Sequence, residues 1–469
     1  MKKPQVVHLA VVLAVASGML LLCAPQSRAQ QAEPKFGSDN IEVLAHIPLG
    51  APLSVADIDM EQELDRPFVY VARMFDEAGF DVIDIGDPES AKVIYSWRIE
   101  NVELHRGTGA MDPKTFKLDG RYYLVQSMQF NAGGADHDLG AVVFDVTGLP
   151  DPKKVKEIGR IREPETPRGF HNIFIYKHSD GRVLLFSTVS GPFANVYDLG
   201  IFVRDGPEHA RVARIPIPDS PEMAARQAAN PDRSVRAYHD MYAGYDPATG
   251  QDKFYGGGVG GYYIYDISRL DEPKLLTSIT GVAGVRRGHT FTPTPDGRYA
   301  VGETEYQYAP LRIFDMKPGL DGEVATIRQP IAAWTANWKN LTHNHEVRWP
   351  YVFVSGYEDG LQIFNMQDPT NPFTVGYYDT FQGKHKTGMC RSRICNGAFG
   401  VDVRNADGLI VLSDMASGFW AFSMEGFEGW DGHGWGMPNI SSAQDWDNGP
   451  EGKERSVTLR DGKASVGSQ

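Results

Sequence analysis

One short phrase recurs seven times along the 469 residues: an apolar strand, often after Gly, that ends in Asp or a polar stand-in. The copies are Gly79-FDVID-Ile85, Gly140-AVVFD-Val146, Gly200-IFVRD-Gly206, Gly261-YYIYD-Ile267, Leu311-RIFD-Met316, Gly360-LQIFN-Met366 and Gly418-FWAFS-Met424. Their last polar residues, Asp84, Asp145, Asp205, Asp266, Asp315, Asn365 and Ser423, are spaced 61, 60, 61, 49, 50 and 58 apart. A fixed period of this length points to a repeat architecture. Apolar residues alternate or form short β-branched and aromatic blocks without a 3.6-residue period, which excludes a helical solenoid.

Each phrase is preceded by a strand such as Tyr351-VFVSG or Leu409-IVLSD and followed by another such as Pro372-FTVGYYD. Four antiparallel strands per unit, repeated radially, protect their own sheet edges. The expected fold is all-β: a seven-bladed β-propeller of four-stranded antiparallel blades over residues 41–425. The seventh unit has three strands, Ala398-FGVDV, Leu409-IVLSD and Phe419-WAFSM, whereas Ile41-EVLAHIPLG precedes every blade. The reading is that this N-terminal strand completes the last blade. Residues 30–40 and the Gly-rich tail 426–469 are then expected to be flexible.

Residues 1–29 combine Lys2 and Lys3, an apolar run from Val6 to Leu22, and Ser27-Arg28-Ala29, a small-residue pattern at the cleavage point. That is the arrangement of a secretory signal peptide. The rival, a lipoprotein signal ending at Cys23, would want a small residue where Leu22 stands. No later segment is apolar enough to span a bilayer. Cleavage after Ala29 removes three basic residues and no acid, taking the net charge from −14 to −17 over 440 residues. So acidic a chain is not expected to bind nucleic acid. The protein is expected to be exported, to the periplasm, the cell surface or beyond. Cys390 and Cys395 remain, and so close a pair in an exported chain reads as one local disulfide.

These residues resemble the LVIVD-repeat propellers, a family of secreted bacterial proteins that includes a group with variable surface anchors. The nearest stretch runs from Tyr351 to Thr380, where Gly360-LQIFN and the Asp368-Pro369 turn stand in the family's order. Gly79 to Pro88 and Gly261 to Pro273 are looser copies. The resemblance implies the propeller fold and says little of activity, because propellers host many unrelated functions. Asn365 and Ser423 depart from its strand-end acid, and Gly206-Pro207 from its turn.

Of 13 histidines, four open the innermost strand of consecutive units: His171, His239, His289 and His345. Innermost strands line the channel, so four imidazoles can converge there. Two readings stand. In one they hold Fe, Cu or Zn, which imidazole suits, with His343 as an extra ligand and Glu303 and Glu305 as outer carboxylates that orient the rings. That arrangement is similar, by geometry only, to the iron site of carotenoid-cleaving oxygenases, whose sequence signatures are absent. In the other reading the rings satisfy buried polar groups between blades.

Gly256 to Gly261 matches Gly-x-Gly-x-x-Gly but leads into a strand, so a hairpin is expected in place of a dinucleotide loop. There is no Gly-x-Ser-x-Gly elbow and no His-Glu-x-x-His. Two functions follow: a ligand- or partner-binding scaffold working over the channel mouth, or a metal-dependent oxidative enzyme. The partner is expected to be a small molecule or an extracytoplasmic protein.

Overall fold

The computed structural model describes residues 36–430 apart from 51–52, 106, 131–134, 232–233, 339–340 and 382–396, then 444–447 and the backbone of 456–460 and 463–467. The expected leader at 1–29, Cys390 and Cys395, and most of the tail lie outside the described residues. No described helix is long and apolar enough to cross a membrane.

Seven antiparallel blades of four strands stand in a ring. Their innermost strands are Val55–Met60, Gly109–Leu118, Ile173–Lys177, Tyr238–Asp246, Phe291–Pro293, His345–Arg348 and Ala398–Val403. Each touches the next, and the seventh touches the first. In blade seven the outer position is taken by Ile41–Ile47, antiparallel to Gly418–Met424. Blade four carries an added two-residue strand, Thr326–Ile327, parallel to its outer strand Lys274–Thr280.

Apolar faces of adjacent blades press together through aromatic rings. Phe144 of blade two meets Phe80 and Trp97 of blade one edge-on, each at 5.0 Å. Trp334 stacks on Phe364 at 4.6 Å between blades five and six. Edge-to-face and offset contacts of this kind add roughly 0.5–1.5 kcal/mol beyond area burial.

Three segments differ from the sequence reading. The copy Gly200-IFVRD is helical: the third strand of blade three is Phe193–Asp198, and Leu199–Asp205 is a helix capped by the Asp198 carboxylate, which accepts from Ile201 N. A short apolar run is ambiguous between strand and helix, and the Asp cap decides it. Residues 36–40, expected to be flexible, run along blade six, with Ser38 N donating to Tyr377 O and Asp379 N to Phe36 O. Within the tail, the Gln444 side chain accepts from Lys177 N at 2.6 Å and donates to Ile175 O at 2.7 Å. An innermost strand has an unpaired backbone edge toward the channel, and Gln444 fills part of it.

Where the inner strands begin, their ladders are irregular. The register slips between Val55 and Ile58, Ala110 and Pro113, Tyr238 and Asp240, and Ala398 and Gly400. Bulges leave backbone N–H groups without ladder partners, and hydroxyls on the second strands accept from them. Asp112 N donates to Ser127, Asn172 N to Thr188, Asn344 N to Ser355 and Gly400 N to Ser413, at 2.9–3.0 Å. Ser413 Oγ in turn donates to Ala56 O at 2.6 Å, joining blade seven to blade one. We expect Ser413→Ala, which strands both backbone groups, to lower stability by about 1–3 kcal/mol, read from the urea midpoint.

Candidate metal centre

The bulges set two consecutive residues of each inner strand at the channel, giving two stacked rings of side chains. One ring contains Ala56, Met111, His171, His239, His289, His343 and Phe399 in blade order. The second contains Asp57, Asp112, Asn172, Asp240, Thr290, Asn344 and Gly400. On the apolar arc of the first ring, Ala56, Met111 and Phe399 belong to one buried cluster with Tyr357. On the other arc the imidazoles stand side by side, with ring centroids 4.5 Å apart for His171 and His239, 4.2 Å for His239 and His289, and 4.8 Å for His289 and His343. Between the two rings is a cavity of about 10 Å³, enough for about one water or ion.

Glu305 lies across from this row. Its Oε2 is 3.4 Å from His289 Nε2 and 3.7 Å from His239 Nε2, and its Oε1 is 3.9 Å from His343 Nε2. His239, His289 and Glu305 offer ligand atoms all within 4.8 Å of one another. The carboxylate is held by Tyr357, whose hydroxyl donates to Oε1 at 2.9 Å. Glu305 and Tyr357 both adopt left-handed backbone conformations, with φ of 47° and 45°. Such conformations cost about 1–3 kcal/mol each and cluster at functional sites.

The outer ring nitrogens of His343 and His171 fix their tautomers. His343 Nδ1 donates to Phe399 O at 2.7 Å, so its Nε2 carries a lone pair. His289 Nδ1 lies 2.7 Å from Glu303 Oε2, and its Nε2 is buried with no hydrogen-bond partner. His171 Nδ1 donates to Gln129 Oε1 at 2.5 Å. Burial is the leading cause that pushes the pKa of His171, His239, His289 and His343 down, with Arg236 and Arg287 adding to it for His171 and His239. Neutral imidazole is the form that binds metals. Glu303 is driven well above the usual carboxylate range, first by burial.

The result is a gap edged by acceptors. The Nε2 atoms of His289, His239 and His343 face the Glu305 carboxylate at 3.4, 3.7 and 3.9 Å, without a hydrogen bond between them. An ion with bonds of about 2.1 Å separates tetrahedral ligands by about 3.4 Å. The spacing of His239, His289 and Glu305 is close to that of ligands around a cation, and His343 Nδ1 has the outer hydrogen bond that such a ligand requires, whereas His239 Nδ1 has none.

The row differs from the sequence expectation in one member. His343 stands in it, and His345 does not: His345 lines the other part of the channel with Asp59, Lys114 and Asp402. Both of its ring nitrogens are buried, and burial pushes its pKa down to about 3. The reason is the bulge. His171, His289 and His343 each stand two residues before a regular ladder begins, at Ile173, Phe291 and His345. The signal in the sequence was the short polar residue after each ligand: His171-Asn172, His239-Asp240, His289-Thr290 and His343-Asn344. Glu305, expected as an outer group, faces the imidazoles directly, whereas Glu303 is the outer one. Tyr357 and Gln129 have no signature in the sequence.

Fold and side chains together define a seven-bladed β-propeller with an imidazole-carboxylate cluster inside its channel. No family model matches the chain, and no curated protein does. Solved structures do match, among them Raptor from Chaetomium thermophilum, 13% identical with a TM-score of 0.52 over 82% of this chain. This chain spans 29% of the Raptor chain, and at that identity the likeness is one of fold alone.

The Gly256 to Gly261 stretch is a hairpin, Gln251–Gly258 against Gly261–Asp266, and one of its glycines sets the site. A Cβ on Gly257 would come 1.8 Å from His289 O, so only glycine lets the backbone of His289 approach blade four. We expect Gly257→Ala to displace His289 and lower stability by about 1–3 kcal/mol, measured by thermal unfolding.

Proposed function

We propose that this protein is an exported propeller that holds one transition-metal ion between His239, His289, His343 and Glu305, with His171 at the open end of the row. The observation that carries this is the convergence of three imidazole Nε2 atoms and a carboxylate on one gap, at 3.4–3.9 Å. Three imidazoles and a carboxylate suit Fe, Cu or Zn. On a six-coordinate ion they leave positions for a ligand, as metal-dependent enzymes require. The Lys2-Lys3 leader with its apolar run supports export, and the Tyr351 to Thr380 motif supports kinship with LVIVD-repeat propellers.

The non-catalytic reading, a scaffold that binds partners on its loops, rests on the fold, which fits a binding module. A scaffold needs only satisfied rings in its channel, whereas this row leaves His289 Nε2 and His239 Nδ1 without partners. The metal reading accounts for the first of these directly.

Elemental analysis of tag-free protein, purified without chelator, decides between them. We expect about one equivalent of Fe, Cu or Zn, lost in His289→Ala and His343→Ala and retained in His345→Ala. Tyr357→Phe, which frees Glu305, should weaken metal affinity about 10–100-fold. Folded protein that takes up no metal after reloading sinks the centre and leaves the scaffold.

A further inference from the structure

Beside the imidazole row is a second cavity, of about 240 Å³, into which Arg168, Arg226, Arg236 and Arg287 all contribute. Its position relative to the row is fixed by Gln129, which lines this cavity and accepts from His171 Nδ1. Arg236 and Arg287 are also among the charges that lower the pKa of His171 and His239. The wall is built by the connection from blade three to blade four, where the helix Pro221–Ala228 carries Arg226 and is capped by Ser220.

Four guanidinium groups around one space repel each other. Among the described residues, Arg226, Arg236 and Arg287 form no ion pair. Arg287 Nε is buried with no hydrogen-bond partner. Burial and the neighbouring arginine charge press the Arg287 pKa down to about 10, and that of Arg236 falls for the same two reasons. Elsewhere in this molecule clustered arginines are matched to acids: Arg211 and Arg214 share Glu165 with Glu163 close by. A protein of net charge −14 has carboxylates to spare, yet none of the described residues that line this cavity is an acid, and the acid whose charge reaches Arg236 and Arg287 is Glu305 of the imidazole row.

We propose that the arginine cavity binds the oxyanion end of a small organic molecule, a carboxylate or a phosphate or sulfate ester, and turns its other end toward the imidazole row. Guanidinium forks match such groups with paired N–H donors. A cavity of about 240 Å³ is of a size for a small organic molecule. On an acidic protein a basic cavity also steers anions to this spot. The binding half of the proposal stands without a metal; the orientation toward the row rests on the metal-centre reading above.

The test is calorimetric titration of chelator-treated, metal-free protein with malonate and, separately, with inorganic phosphate. Saturable binding of either is expected, weakened at least tenfold in Arg287→Gln and in Arg236→Gln and unchanged in Arg160→Gln, an arginine already paired with Glu157 and Glu100. Preference for malonate assigns a carboxylate ligand, and preference for phosphate assigns a phosphate or sulfate ester. Circular dichroism and thermal unfolding of each variant separate lost binding from lost fold. No binding of either anion, or binding that both arginine variants leave intact, overturns the proposal. Cobalt(II) loading then tests orientation: malonate or phosphate should shift the visible spectrum of the loaded protein, and an unchanged spectrum overturns that half. Failure to take up cobalt would count against the metal centre alone, since the anion titration is made without it.

Discussion

Seven inner strands meet around one narrow channel, and each brings a backbone edge with no strand to pair it. Everything polar in that space must be satisfied by the blades themselves, because an unpaired buried donor or acceptor costs about 1–3 kcal/mol. The second-strand hydroxyls of Ser127, Thr188, Ser355 and Ser413 meet that requirement for the bulged backbone. Two of them reach a neighbouring blade as well, Ser355 to Phe399 O and Ser413 to Ala56 O. Backbone satisfaction and ring closure are thus one network.

Two ends of the same channel solve the charge problem differently. In the acid-rich part, Lys114 lies among carboxylates, 2.8 Å from Asp112. Although burial opposes its charge, Asp112, Asp57 and Asp59 hold its pKa well above the usual value. Asn344 and Thr290 donate to Asp57 and Asp240. There the fold supplies its own cation. Around Glu305 it supplies three imidazoles and a tyrosine, with Arg236 and Arg287 acting on that carboxylate only through space and not as a contact ion pair among the described residues. The contrast between these two clusters, a few side chains apart, gives the metal reading its physical basis.

Much of this was legible beforehand, and the failures are local. The alternation and spacing of the strand phrases carried the blade count, since burial of one sheet face writes itself into every second residue. Helix Leu199–Asp205 escaped because an apolar run of that length has no period of its own. His345 was placed where His343 belongs because strand alternation assumes a regular ladder, and a bulge of one residue re-aims every side chain before it. Tyr357 and Gln129 come from loops and second strands of other blades, and no local pattern links them to the histidines.

The amino-acid sequence by itself determined the repeat, the number of blades, the run of histidines confined to blades three to six, and the acidic character of the whole, because each is a matter of order and composition along the chain. The tertiary structure decided which histidines face one another, that Glu305 meets them, and that four arginines line a cavity beside the row. Those are contacts across blades, set by bulges and by the ring's closure, and sequence separation carries no information about distances of 3–4 Å between residues brought together from different blades.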